Sequence, residues 1–147
     1  MYVFNRSINI NIQSEDEGES VIVNGVFMDS YHEVSLTLWV DMRDFAITAA
    51  EGELRRYPHP DCIVTGNRIK NLVGLKLARG VRKKITEAVG TDAGCTHLAD
   101  LALECVKALI QAKYSLMHLT LSEEEIQKQT EAYLRGSCYR FRALGNE

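Results

Sequence analysis

Gly94-Cys95-Thr96-His97-Leu98 sets a thiol and an imidazole two residues apart, at the head of a long apolar segment that runs to about Met117. The position reads as a helix start. Free N–H groups and partial positive charge at a helix N-terminus favour a thiolate. A thiolate beside a histidine suits metal ligation or nucleophilic attack, and the pair alone does not choose between them. On a regular helix the two side chains would point apart; in an irregular first turn they can converge.

Other residues could join them. Cys62 follows the turn Tyr57-Pro58-His59-Pro60-Asp61, at an expected strand-to-helix junction. Asp29 closes the second expected strand. His32 shares the parity of Val34 and Leu36, so it faces the core side and needs a polar partner there. Asp29, His32, Cys62, Cys95 and His97 are therefore the candidate metal ligands, and not all five need bind at once. Thiolate and imidazole favour Zn²⁺ or an iron–sulfur species over Mg²⁺. Cys105 falls on the apolar stripe of the long helix and reads as a small buried hydrophobe. Cys138 lies in the tail without a role, and His59, between two prolines, reads as exposed. There is no Cys-x-x-Cys, dinucleotide fingerprint, phosphate loop or nucleophile elbow.

These residues need elements to position them. Met1 to Ile12 carries Ile8, Ile10 and Ile12 against Ser7, Asn9 and Asn11, the period of a half-buried strand. Ser14 to Glu19 reads as a charged turn. Ser20 to Met28 is a second strand with Val21, Val23 and Gly25 on one face. Tyr31 to Val40 is the clearest, with Val34, Leu36, Leu38 and Val40 opposed to Glu33, Ser35, Thr37 and Trp39. Phe45 to Glu53 is the fourth. The prolines then break the pattern, and the period becomes helical: a short helix from about Asp61 to Val73, a basic helix from Val81 to Val89 stopped by Gly90, and the long helix. A last helix, Glu123 to about Leu134, starts at a capping box of Ser122 and Glu125. The tail from Ser137 holds Tyr139, Arg140, Phe141 and Arg142 and resembles a docking segment.

Strands first and helices after predict an α+β fold: an antiparallel meander of about four strands (about 1–53) with helices (about 61–135) packed on one face, in a single domain spanning 1–147. The 147 residues are 46% hydrophobic and 25% charged, enough for a real core. A net charge of -3 argues against a general nucleic-acid binder. The basic run Arg79 to Lys84 reads as a solvated helix face. No apolar window is long enough for a membrane span, and the N-terminus lacks a signal-peptide pattern, so a cytoplasmic protein with free thiols is expected. Two apolar rows on the long helix permit a homodimer, and a fourth helix within the chain could cover the second row equally well; a protein partner is a further expectation.

Two resemblances follow from these motifs. Asn71-Leu72-Val73-Gly74-Leu75, then Gly80-Val81-Arg82-Lys83-Lys84, then Gly94-Cys95-Thr96-His97-Leu98 resemble a bacterial family of unknown function. The resemblance extends to Asp29, His32 and Cys62. The order of meander, cysteine before a helix, charged helix and cysteine opening a long apolar helix is more distantly similar to the U-type iron–sulfur cluster scaffold proteins. That resemblance implies Cys62 and Cys95 as second and third cysteine, with Asp29 and His32 where the first would stand, and zinc or a nascent cluster as the bound group. The alternatives are an enzyme with Cys95 as nucleophile and His97 or His32 as its base, and a metal-free interaction domain.

Overall fold

The structure, a computed structural model, describes residues 1 and 3–142. Four strands come first: β1 (Arg6–Glu15), β2 (Ser20–Asp29), β3 (Glu33–Asp41) and β4 (Ala46–Arg56). A segment of 3₁₀ turns, Pro60–Leu72, leads to three helices: α1 (Val81–Val89), α2 (Thr96–Met117) and α3 (Glu123–Leu134). The strands form one antiparallel sheet in the order β1-β2-β3-β4. The expected α+β meander is thus what the chain forms. No helix among the described residues is long and apolar enough to cross a membrane.

The chain divides into two compact units, Met1–Leu109 and Ile110–Glu147. In the first, one face of the sheet is the core face. Val21, Val23 and Phe27 of β2 and Val34, Leu36, Leu38 and Val40 of β3 are all buried, as their alternation requires. Asp29 shares that parity and is buried with them. Helix α2 comes down on this face at Gly25, where an added Cβ would sit 2.6 Å from Cys105 Sγ and 3.0 Å from a Leu101 methyl. Glycine is what permits that approach, and Cys105 is the buried hydrophobe its position on the stripe predicts.

Three features depart from the simplest reading. The strands run from Arg6 to Arg56, later at both ends than their periodicity suggests. A register shift in β4 places Ile47 opposite Val40 but Ala49 opposite Trp39. Alternation therefore slips by one, and beyond it Ala50, Gly52 and Leu54 stand opposite the inward Leu38, Leu36 and Val34. The segment after the prolines winds as 3₁₀ turns and not as an α-helix. Pro60 opens it, and Ile63-Val64-Thr65-Gly66-Asn67 is a run of poor α-helix formers. Arg68 and Asn71 tie it to the end of α1 by donating to the carbonyls of Glu87 and Ala88.

In the second unit, α3 carries the expected capping box. Ser122 Oγ accepts from the Glu125 N–H, and the Glu125 carboxylate accepts from the Ser122 N–H at 3.0 Å. The Tyr114 and Tyr133 rings meet at 6.1 Å. Tyr2 and the end of the tail, 143–147, lie outside the described residues.

Candidate metal centre

The centre starts at the β2–β3 turn. Asp29 N–H donates to the His32 carbonyl at 2.9 Å, closing a four-residue reversal through Ser30 and Tyr31. The Asp29 carboxylate folds back over that turn. Its Oδ1 accepts from Tyr31 N–H (2.8 Å), His32 N–H (2.7 Å) and His32 Nδ1 (2.9 Å), an aspartate turn of the usual kind with an imidazole added. Its Oδ2 accepts from the Arg6 guanidinium at 3.2 Å. Arg6 arrives by register, since β1 pairs with β2 so that Arg6 stands directly opposite Asp29. Arg56 completes the frame by donating to the Ser30 and His32 carbonyls at 2.8 and 3.2 Å.

Burial works to raise the Asp29 pKa, but the Tyr31 N–H, the two His32 bonds and Arg6 more than offset it, so the carboxyl lies well below the usual range. A carboxylate can only accept. The proton in the 2.9 Å contact therefore sits on His32 Nδ1, and neutral His32 keeps its lone pair on Nε2.

The second half arrives with α2. Cys95 stands at the residue before the helix: its N–H donates to the Val89 carbonyl at 2.8 Å, and its own carbonyl accepts from Ala99 N–H at 3.0 Å. Gly94 makes this possible, because a Cβ there would run into the Val89 and Gly90 carbonyl oxygens. The glycine before the cysteine thus lets the chain pass the end of α1 and start α2 at once.

His97, in the first turn of α2, stacks on His32 with ring centroids 3.8 Å apart and planes at 32°. Its other neighbour is Phe27, at 5.1 Å and 57°. Burial, followed by the neighbouring His32, lowers the His97 pKa and favours the neutral ring. Arg6 lies over the far side of this cluster, 4.9 Å from the Phe27 centroid.

Asp29, His32 and His97 each offer a ligand atom within 4.8 Å of the other two, an arrangement that could hold a metal ion. Of the five candidates, these three come together. Cys95 stands beside them, its Sγ 3.9 Å from His97 Nδ1, a long contact for a thiol hydrogen bond. Neither it nor Cys62 belongs to the three-residue group. Cys62 is half-buried in the 3₁₀ segment, donating its N–H to the His59 carbonyl and accepting from Thr65 Oγ. Sequence reasoning overlooked Arg6, Phe27 and Arg56. Arg6 was detectable, since it shares the parity of Ile8, Ile10 and Ile12 and so belongs to the core face.

The family described as "Protein of unknown function (DUF2889)" matches residues 4–111. The chain belongs to this family. The match covers β1 through most of α2, with all five candidate ligands, and stops before α3. No curated protein and no solved structure matches the chain.

Proposed function

We propose that the protein binds one divalent transition-metal ion through Asp29, His32 and His97, with Zn²⁺ the best-fitting ion and Fe²⁺ the next. The observation that carries this reading is the convergence of three ligand atoms within 4.8 Å, from the end of one strand, the following turn and the start of a distant helix. Donors about 2.0–2.1 Å from a tetrahedral zinc stand roughly 3.4 Å apart, so binding draws the group in and splays the stacked rings. His32 Nδ1, giving up its proton to solvent as the ion arrives, and a ring nitrogen of His97 supply imidazole. Asp29 holds the His32 ring through that same Nδ1 in the metal-free protein, so the carboxylate and the nitrogen already face one another. Its Oδ2, which takes the Arg6 bond, is the carboxylate oxygen nearest to being free for the ion. Cys95 is placed to add a thiolate as a fourth donor.

An iron–sulfur cluster at the same place is the reading implied by the likeness to U-type scaffolds. Clusters are held chiefly by thiolates, and the three converging residues supply none. A single ion is therefore better supported than a cluster.

The test is metal content and uptake. Protein prepared anaerobically without chelator should carry close to one zinc or iron per chain, or take up one by titration calorimetry, and His32→Ala and His97→Ala should each abolish it. Cobalt(II) in place of zinc should give a thiolate charge-transfer band that Cys95→Ser removes. A wild-type protein that takes up none of these ions overturns the proposal. A sulfide-dependent visible chromophore lost in Cys62→Ser and Cys95→Ser would favour the cluster instead.

The Cys95–His97 contact favours a second reading, a cysteine-dependent enzyme with His97 as base. It requires that Cys95 alkylate rapidly near neutral pH and that His97→Ala slow it. The metal reading requires instead that added zinc protect Cys95.

A further inference from the structure

The two edges of the sheet are treated differently by the chain. Along β4, residues 73–77 seal the start of the strand: Ala46 bridges to Lys76, Ile47 N–H donates to the Leu75 carbonyl, and Leu77 N–H donates to the Phe45 carbonyl. Strand β1 is the other edge. It is ten residues long, Arg6 to Glu15, with no proline, glycine or lysine. Among the described residues its pairing with β2 has no register shift. Proline, lysine and bulges are devices by which exposed edges are ordinarily blunted; β1 has none of these, and its charged residues, Arg6 and Glu15, stand only at its two ends.

Its core-side residues are also left partly open. Ile8 is 39% exposed, and Ile10 and Ile12 are half-buried. Helix α2 covers the sheet at Gly25 of β2, and Ile10 reaches that contact while Ile8 stays largely open.

The direction of the backbone groups can be read from the start of the strand. Ser30 N–H donates to the Asn5 carbonyl, so by the two-residue period the odd residues of β1 bond β2. The N–H and carbonyl groups of Arg6, Ile8, Ile10, Ile12 and Ser14 then point to the free side. Their side chains are the ones that share the core face, since Ile8, Ile10 and Ile12 stand opposite Phe27, Gly25 and Val23.

We infer that β1 pairs antiparallel with β1 of a second copy of this chain, joining two sheets into one. A two-fold axis at Ile10 puts that residue opposite the partner's Ile10, Ile8 opposite the partner's Ile12, and Arg6 opposite the partner's Ser14. Every outward backbone group then meets a complementary one, and the isoleucines form a continuous row on one face. Charge selects the antiparallel sense. Arg6 marks one end of the strand, while Glu15, Asp16 and Glu17 mark the other. Antiparallel pairing brings each Arg6 diagonally beside the partner's Asp16, whereas a parallel pair would set acidic end against acidic end. The interface is isologous, as a two-fold dimer requires.

Light scattering coupled to gel filtration tests this on the full chain. The expected mass is twice the 16.6 kDa of one chain. Ile8→Pro removes an outward N–H and leaves the β2 side bonded, so it should give a monomer with wild-type circular dichroism. A second test does not depend on how that variant folds. In a Cys138→Ser background, Asn9→Cys with Asn11→Cys should cross-link into dimers on mild oxidation. Each Asn9 faces the partner's Asn11 in a non-hydrogen-bonded pair about 4.5 Å between Cα atoms, within disulfide reach. Asn9→Cys alone should not cross-link. A wild-type monomer at all concentrations, a folded Ile8→Pro dimer, or equal cross-linking by the single and double variants overturns the inference.

Discussion

His97 lies against His32 with ring centroids 3.8 Å apart, and His32 is itself held by Asp29 through Nδ1 at 2.9 Å. A strand end, a turn and a helix start are thereby linked into one polar cluster inside the edge of an apolar core. Burial lowers the His97 pKa, so this ring favours the neutral form, the one that ligates metals.

Zinc should stabilise the fold. An ion bound at a hundredfold over its dissociation constant adds about 2.7 kcal/mol, roughly 5–10 °C of melting temperature for a chain of this size. Chelator should reverse the shift. His32→Ala and His97→Ala should melt at the same temperature with and without zinc, as read by scanning calorimetry.

Asp29→Asn should destabilise the metal-free protein by about 1–3 kcal/mol at neutral pH, because bonds from the Arg6 guanidinium and the His32 ring lose their charged acceptor. The acid limb should change too. The folded-state pKa of Asp29 lies below its ordinary value, so the unfolded chain binds the proton more readily. That contribution is present above the unfolded pKa, about 3.9, and is lost as pH falls below it. Urea unfolding in chelator from pH 6 down to pH 2 should show a steeper loss for wild type than for Asp29→Asn.

Gly25→Val should cost about 1–3 kcal/mol by overpacking. Its Cβ would stand 2.6 Å from Cys105 Sγ and 3.1 Å from an Ile10 methyl, and α2 must lift off β2 to admit it. Denaturant unfolding measures the loss. If the variant is as stable as wild type, α2 does not seat on Gly25.

The four thiols should react in a fixed order under native alkylation followed by peptide mapping. Cys138 is exposed and its pKa is lowered, chiefly by the Phe141 backbone N–H, so it reacts first. Cys105 is buried, and burial pushes its pKa up to about 12; it should react only on global unfolding. Early modification of Cys105 in folded protein would contradict its place between α2 and the sheet.

Periodicity alone was enough for the architecture. The alternation of Val34 to Val40 marked the core face of β3, Val81–Val89 and Glu123–Leu134 were delimited by their stop and cap residues, and Cys105 declared itself as core by sharing a stripe with Leu101 and Leu109. Each of these depends on residues within a few positions of one another, where side-chain direction follows from the local period. The β4 shift and the 3₁₀ winding after Pro60 were less visible, because a single extra residue or a change of helix type leaves the composition almost unaltered.

The site divides along the same line. That Asp29 and His32 face inward, and that Cys95 and His97 open a helix, follows from parity and spacing in the chain. Which of them meet does not. Arg6 reaches Asp29 through strand register, and His97 reaches His32 only because Gly25 and Gly94 let α2 settle where it does, while Cys62, whose chemistry is equally suitable, stands outside the group. Residue types set what each group can do; the packing of strands and helices, summed over many contacts far apart in the chain, decided which of them became neighbours.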